Sequence, residues 1–354
     1  MRLQPRSRLP GWDCDPERVE NDMTYLQSLR NALHEAFAKD SRVHLIGEDV
    51  LDPYGGAFKV TAGLQAKYPD RVLTTPISEA ALIGMSTGMA LRGLLPVVEI
   101  MFGDFLLLGA DQIVNHATKF ASMYNGEVRV ASVIRTPMGA GRGYGPTHSQ
   151  SLEKMFLGAP NLTVVSPTHA HDPGALLLHA ILDDHGVVLF IEHKLLYPLA
   201  LVESGKLLSM EEAVEPNGYG TVLLKNYQAG APDVTLIAYG GTSRICVPVM
   251  EQLAAEEVRI LAAFPASLKP LPVATLRKAA EETGRVVIVE EGTEGFNWGS
   301  EVATALYESL WRRLQVPIKR VASRDSVLPA AKWMEEKVMV RADSVQAAIL
   351  EVMQ

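Results

Sequence analysis

The sequence predicts two α/β domains, each organised around a mainly parallel β-sheet. Three observations carry this expectation. A chain of 354 residues with 47% apolar content is too long for one typical domain and apolar enough to fill two cores. Short apolar runs alternate with segments of helical period, the pattern of a parallel sheet covered on both faces. Between 201 and 232 glycine, glutamate and proline accumulate and apolar runs shorten, before a second alternating unit begins at Val234. The expected organisation is an arm over 1–22, a first domain over 23–200, a linker over 201–232 and a second, smaller domain over 233–354.

The arm carries Arg2, Arg6 and Arg8, followed closely by Asp13, Asp15, Glu17 and Glu20. It lacks the apolar segment of a secretory signal and is too acidic for a transit peptide. Leu26, Leu29, Leu33, Ala36 and Phe37 then recur at helical spacing, so a helix is expected over 24–39 with Thr24 as its cap. Val43 to Ile46 reads as a strand ending in Gly47-Glu48-Asp49, 52–56 as a turn, and 60–68 as a short helix closed by Pro69. A strand over 72–75 runs into Thr75-Pro76-Ile77-Ser78-Glu79 and a small-residue helix over 80–92. Strands at 96–100 and 128–135 flank a helix over 111–124, and a glycine-rich loop, Met138 to His148, follows. A helix-like turn at 152–156, a strand at 163–166, a helix at 173–183 and a strand at 187–192 complete the first unit. In the second, strands at 234–240, 259–263 and 286–289 alternate with helices at 243–255 and 273–283, and helices near 298–314 and 344–353 close it.

Charge and composition exclude several functions. A net charge of −8 with no run of Lys or Arg argues against a nucleic-acid surface. No stretch reaches the ~18 uncharged apolar residues of a spanning helix, so no membrane role is expected. Cys14 and Cys246 lie far apart with no Cys/His cluster around them, which implies neither a disulfide framework nor structural zinc and fits a reducing, cytoplasmic setting.

Glu79 stands where a strand gives way to a helix, the end of an open α/β sheet at which such folds bind ligands. Ile77, Leu82 and Ile83 would keep water from its carboxyl and favour its holding or exchanging a proton. The alternative is a helix-start glutamate that merely complements the helix dipole. Gly84 and Gly88, four residues apart, leave one helical face nearly flat for another backbone to approach. The glycine-rich loop lacks both the Lys-Ser/Thr ending of a P-loop and the spacing of a dinucleotide-binding turn, so it reads weakly as a phosphate cradle.

The spacing of Glu79, Gly84-Met85 and Gly88-Met89 resembles the E-x4-G-Φ-x2-G-Φ pattern of thiamine diphosphate enzymes, in their pyrimidine-binding domain. More narrowly, the chain is similar to β subunits of the E1 component of 2-oxo acid dehydrogenases of the pyruvate, branched-chain and acetoin types. The similarity runs through Gly47-Glu48-Asp49-Val50, Gly56-Ala57-Phe58-Lys59-Val60, Thr75 to Glu79, Glu99-Ile100-Met101-Phe102, Asp111-Gln112-Ile113-Val114-Asn115, His148-Ser149-Gln150 and Val165-Ser166-Pro167. It continues more weakly at Leu268-Lys269-Pro270-Leu271 and Val287 to Glu291, in what would be a transketolase C-terminal-like domain.

This resemblance implies thiamine diphosphate as cofactor and gives Glu79 the role of hydrogen-bonding N1′ of its aminopyrimidine. Phe105 would stack beside that ring, with Ile77 also lining the cofactor. His148 would move protons or orient the acyl intermediate, and Glu48 would belong to a polar tunnel between active sites. Ser132, Ala180, Ile181, Asp183 and His185 match a potassium site built largely from backbone carbonyls, with His185 in place of an Asn. The Gly-Asp-Gly and Asn pair that holds Mg²⁺ on the diphosphate in this family is missing, since Gly103-Asp104-Phe105 is no such motif, so the magnesium ligands are expected in a partner. The implied assembly is an α2β2 tetramer with an E1 α-like subunit, acting on a small 2-oxo acid or ketone and passing the acyl group to lipoyl-lysine of an E2 core. Two alternatives stand beside it: a two-chain transketolase-like enzyme delivering a two-carbon unit to an aldehyde, and a non-catalytic interface subunit. Departures from the pattern are the arm, the apolar run Leu261 to Ala266 and the ending Pro329-Ala330-Ala331-Lys332-Trp333-Met334.

Overall fold

The apolar stripe that opens the first domain forms α1 (Tyr25–Lys39), burying Tyr25, Leu29, Leu33, Ala36 and Phe37. The computed structural model describes residues 23–205 and 207–354; the arm expected over 1–22 lies outside them. Thr24 caps α1 reciprocally: its hydroxyl accepts from Gln27 N–H, while the Gln27 side chain accepts from Thr24 N–H.

The first half then supplies β1 (Val43–Gly47), α2 (Leu64–Lys67), β2 (Val72–Thr74), α3 (Glu79–Leu91), β3 (Leu95–Glu99), α4 (Phe120–Met123), β4 (Ser132–Met138), β5 (Leu162–Val165), α5 (Pro173–Leu182) and β6 (Val187–His193). The second half supplies β7 (Ser209–Ala213), β8 (Thr221–Lys225), β9 (Val234–Ala238), α6 (Ser243–Ala254), β10 (Ile260–Pro265), β11 (Ser267–Lys269), α7 (Val273–Thr283), β12 (Val286–Thr293), α8 (Trp298–Leu310), β13 (Lys319–Ser323), α9 (Lys332–Val338) and α10 (Ala342–Glu351).

These strands form two sheets. The first has the order β11-β5-β6-β4-β3-β1-β2 and is parallel except for β11; the second has the order β13-β12-β9-β10-β8-β7, with β7 and β8 antiparallel. Central strands are buried on both faces, every residue of β4 and β6 included, which is why apolar residues follow one another along them, as in Val187 to Ile191, instead of alternating. One hydrophobic cluster runs from Ile46, Leu82 and Ile134 of the first half to Ile237, Leu276 and Trp298 of the second, so the halves share a core. Chain order reverses direction at β1: β2 lies on one side of it and β3 on the other, and the crevice at their carboxyl ends is a topological switch point.

Several local expectations are corrected. The helix expected over 60–68 is the single turn α2, because Gly63 immediately before it takes a left-handed φ of 82°. The helix expected over 111–124 is a π-helical stretch, Gln112–Ala117, followed by α4. There Thr118 N–H reaches back to Ile113 O, and its hydroxyl takes Val114 O. The segment 103–109, unassigned from sequence, is a 3₁₀ helix, and the turn at 152–156 is 3₁₀ over Glu153–Met155. Strand β4 begins at Ser132, four residues later than expected, and β11, β13 and α9 went unforeseen. Residues 201–232 are no bare connector: they contain β7 and β8, which complete the second sheet's edge.

A candidate active site at the carboxyl ends of the first sheet

Glu79 is the first residue of α3, and Ser78 caps the helix by accepting from Ala81 N–H. Its residue is 4% exposed, and its carboxylate takes no hydrogen bond from the described residues. Leu82 and Ile83, one turn further along α3, are fully buried, but Ile77 is 78% exposed, on the extended approach to the helix. Glu48, just past β1, is equally buried and accepts from Ser78 N–H at 2.9 Å. Burial raises the Glu48 pKa; the Ser78 N–H opposes this, and the nearby Glu79 charge adds to the rise. Two buried acids thus lie near one another at the switch point, close enough for the Glu79 charge to act on Glu48.

The 3₁₀ segment carrying Phe105 packs on the first turn of α3. Gly109 lies close against this turn: a Cβ there would press on the tip of the Ile83 side chain and stand 3.3 Å from the Glu79 carbonyl. Phe105 is half-buried, and it and Phe102 meet the His148 ring edge-on at 5.2 and 4.9 Å between centroids. Thr147 Oγ1 lies 3.0 Å from His148 Nδ1 and orients the imidazole. Asp104 Oδ1 accepts from the Gln150 side chain at 2.8 Å and ties the two segments together. The structure therefore places Glu48, Glu79, Phe105 and His148 beyond the carboxyl ends of four adjacent strands, β1, β2, β3 and β4.

The loop that delivers His148 is held from the second half of the chain. Glu335 of α9 accepts from both Gly141 N–H and Gly143 N–H at 3.0 Å, and Glu291 of β12 accepts from Ala140 N–H at 2.7 Å. These amides are occupied by the protein's own carboxylates, so the loop is not a phosphate cradle. Glu291 also bonds His193 Nε2 at 2.8 Å. Burial pushes its pKa up, but the His193 charge and these hydrogen bonds outweigh that and bring it to about 2. Gly139 must be glycine, with φ 98° and the His193 ring against it.

Sequence reasoning missed Lys194. It is fully buried, donates from Nζ to the His148 carbonyl, and lies over the Phe102 and Tyr144 rings at 5.2 and 5.8 Å. Burial lowers its pKa to about 8, against the pull of Asp104 and Glu291. Beneath the crevice Arg135 is sandwiched in the sheet, bonding both oxygens of Glu192 at 2.8 and 2.7 Å and pairing with Glu99, while Tyr197 donates to Glu192. Apart from Glu99, which falls in a segment of the resemblance, no motif marks these residues; a charged residue beside apolar strand residues is the signal that could have raised them.

The residues matched to a cation site also converge. Ser132 N–H bonds Gly186 O at 3.1 Å, and the hydroxyl of Ser132 is buried without a partner among the described residues. Ala180 and Ile181 lie in the last turn of α5, where carbonyls are free and the helix dipole favours a cation. His185 and the Asp183 side chain are exposed. Among the described residues no group of three or more His, Cys, Asp or Glu side chains is placed to hold a metal. Likewise, no helix among them is long and apolar enough to cross a membrane.

Residues 21–200 match the family model for the transketolase pyrimidine-binding domain, and 225–345 that for the transketolase C-terminal domain. The chain is 34% identical to 2-oxoisovalerate dehydrogenase subunit beta of Bacillus subtilis, over 93% of this chain and 98% of the relative. It is 34% identical to the mitochondrial pyruvate dehydrogenase E1 component subunit beta-1 of Oryza sativa, over 92% and 86%. It is 32% identical to pyruvate dehydrogenase E1 component subunit beta of Leifsonia xyli, over 94% and 95%. Among solved structures, a split-gene transketolase in an inactive β4 tetramer superposes with a TM-score of 0.71 over 94% of this chain and 98% of that one, at 20% identity, a likeness of fold.

Proposed function

The chain belongs to the transketolase-like family of 2-oxo acid dehydrogenase E1 β subunits, and from that premise we propose that the crevice around Glu79 is its half of a thiamine diphosphate site shared with an α-type partner. It is an enzyme subunit, acting in a multi-subunit assembly to decarboxylate a 2-oxo acid. The observation that carries the site is the buried Glu48 and Glu79 pair at the switch point, with no partner for the Glu79 carboxylate among the described residues.

The bound cofactor supplies a nucleophilic carbon and an electron sink for loss of CO₂. The chain's own residues do the rest. Glu79 shares a proton with a weakly basic ring nitrogen, and its burial keeps water from competing. Glu48, held by Ser78 N–H, retains or passes that proton because a second full charge beside Glu79 is disfavoured. Phe105 offers a ring face to the pyrimidine. His148, with Nδ1 turned to Thr147, has Nε2 available to exchange a proton with the substrate or the acyl acceptor. Exposed Ile77 would line the cofactor beside the partner.

On this reading the partner holds Mg²⁺, the assembly is α2β2, a lipoyl group on an E2 core takes the acyl unit, and the enzyme works in the cytoplasm. The α5 carbonyls with Ser132 would hold K⁺, a cation suited to neutral backbone oxygens. The exposed face of α3, where the space beyond Gly88 is open, is the contact surface for the partner. Co-purification with the α-type subunit and titration of thiamine diphosphate with Mg²⁺ tests the split site. Tight binding is expected only for the pair, and equal binding by this chain alone overturns it. Glu79→Gln should nearly abolish exchange of the cofactor's C2 proton while assembly persists; unchanged exchange removes Glu79 from the chemistry. Lipoamide and aldehyde acceptors, offered in parallel, separate acyl transfer from a transketolase-type reaction.

A further inference from the structure

A second cavity, of about 560 Å³, lies between the start of the glycine-rich loop, the first turns of α6, and α9 with the start of α10. That size suits a small-molecule ligand. Its polar groups are unequally engaged. Glu335 uses both oxygens on Gly141 and Gly143, and Glu291 uses both on Ala140, Ser151 and His193. Arg341 is paired with Asp343. Arg244 stands apart in its burial: its guanidinium makes no hydrogen bond to the described residues, and its Nε is buried without a partner. A buried, unsatisfied guanidinium nitrogen in a folded protein calls for an explanation. Nothing in the first-sheet crevice requires it, since Arg244 neighbours Gly141 and Glu291, whereas Phe102 and Phe105 pack on His148 at the loop's far end.

The rest of the lining defines what the cavity would take. Leu195, Ile245, Pro248 and Met339 make one side apolar, while exposed Lys332 adds a second cation that no described residue pairs. The geometry points to a binding site for a small organic carboxylate, its anionic head on the Arg244 fork and its short apolar body against Ile245, Pro248 and Met339. Guanidinium matches a carboxylate through two parallel hydrogen bonds, which would satisfy the orphaned nitrogen. This site is separate from the Glu79 crevice and does not depend on how that crevice works.

The test uses the full chain assembled with its α-type partner and titrates hexanoate by calorimetry, with inorganic phosphate as an anion lacking an apolar body. Hexanoate should saturate a site on the wild type and bind more tightly than phosphate. Arg244→Met should weaken it at least tenfold, and Arg244→Lys less, while turnover at saturating substrate stays unchanged in both. Met339→Arg, at the apolar end, should also weaken hexanoate; a thermal melt of each variant verifies folding. His148→Ala should leave hexanoate binding intact, because a loss there would put the carboxylate in the catalytic crevice. The proposal falls if hexanoate shows no saturable binding, if Arg244→Met binds it as the wild type does, if phosphate binds equally well, or if His148→Ala abolishes binding.

Discussion

Glu335→Ala should release the loop that carries His148. Glu335 is fully buried and receives two backbone hydrogen bonds, from Gly141 and Gly143, each at 3.0 Å. A hydrogen bond to a charged group contributes about 1.5–3 kcal/mol, so removing both costs about 3–6 kcal/mol if the amides find no substitute. The adjoining cavity admits water, which places the expected loss near the lower end, about 3 kcal/mol. At about 1.36 kcal/mol per factor of ten, that speeds local opening roughly 100-fold. Amide hydrogen exchange resolved to 139–145 is the assay, with 162–165 of β5 as the internal control. Turnover should fall along with loop protection, since Lys194 then holds the His148 carbonyl alone. Exchange in the loop within threefold of wild type would refute the claim that Glu335 anchors it, whatever happens to activity.

Other consequences follow from buried charge. Lys194→Met removes the anchor on His148 and should lower turnover about tenfold or more. Because burial holds the folded Lys194 pKa at about 8, below its ordinary 10.5, its charge is disfavoured below pH 8 and stability rises between about 8 and 10.5; the variant, measured by urea unfolding, should be no less stable at pH 7 and should lack that rise. Glu290, raised to about 7 chiefly by burial, with the Gly299 N–H opposing, weakens the fold as pH climbs from about 4.5 to 7, by about 3 kcal/mol. Glu290→Gln should flatten that decline in unfolding measured across the window, and an unchanged slope would contradict it. Arg135→Met strands Glu99 and Glu192 in the sheet and should cost at least about 3 kcal/mol, seen in chemical denaturation as a lowered midpoint.

Much of the fold is legible because its central strands are buried on both faces, so β6 and β12 carry consecutive rather than alternating apolar residues, Val187 to Ile191 and Val286 to Val289. By contrast β7 has no buried residue and β11 is three residues long, so neither contrasts with a loop in composition. Glu79 is legible because Gly84 and Gly88, which complete its spacing pattern, lie within ten residues of it. Glu335 and Lys194 are not, because their partners lie 192 or 194 and 46 residues away and only the folded backbone brings them together. The π-helical stretch at Gln112–Ala117 keeps a helical spacing of apolar residues and differs only in hydrogen bonding, which a pattern does not record. Ile77 misled for a related reason: an apolar residue beside a buried acid need not share its burial.

Strand β11 sets how this chain can be divided. Sequence from the second half supplies the edge of the first sheet, pairing Ser267 with Val165 and Lys269 with Val164. A gene cut anywhere in 201–232 would give an amino-terminal fragment whose β5 lacks its neighbour and offers a bare row of amides and carbonyls, the usual template for strand exchange and aggregation. The two halves are therefore a single inheritable unit. Recombination that swaps one half for that of a relative must also match an edge strand across the junction, a constraint that a simple two-bead picture of the molecule would miss.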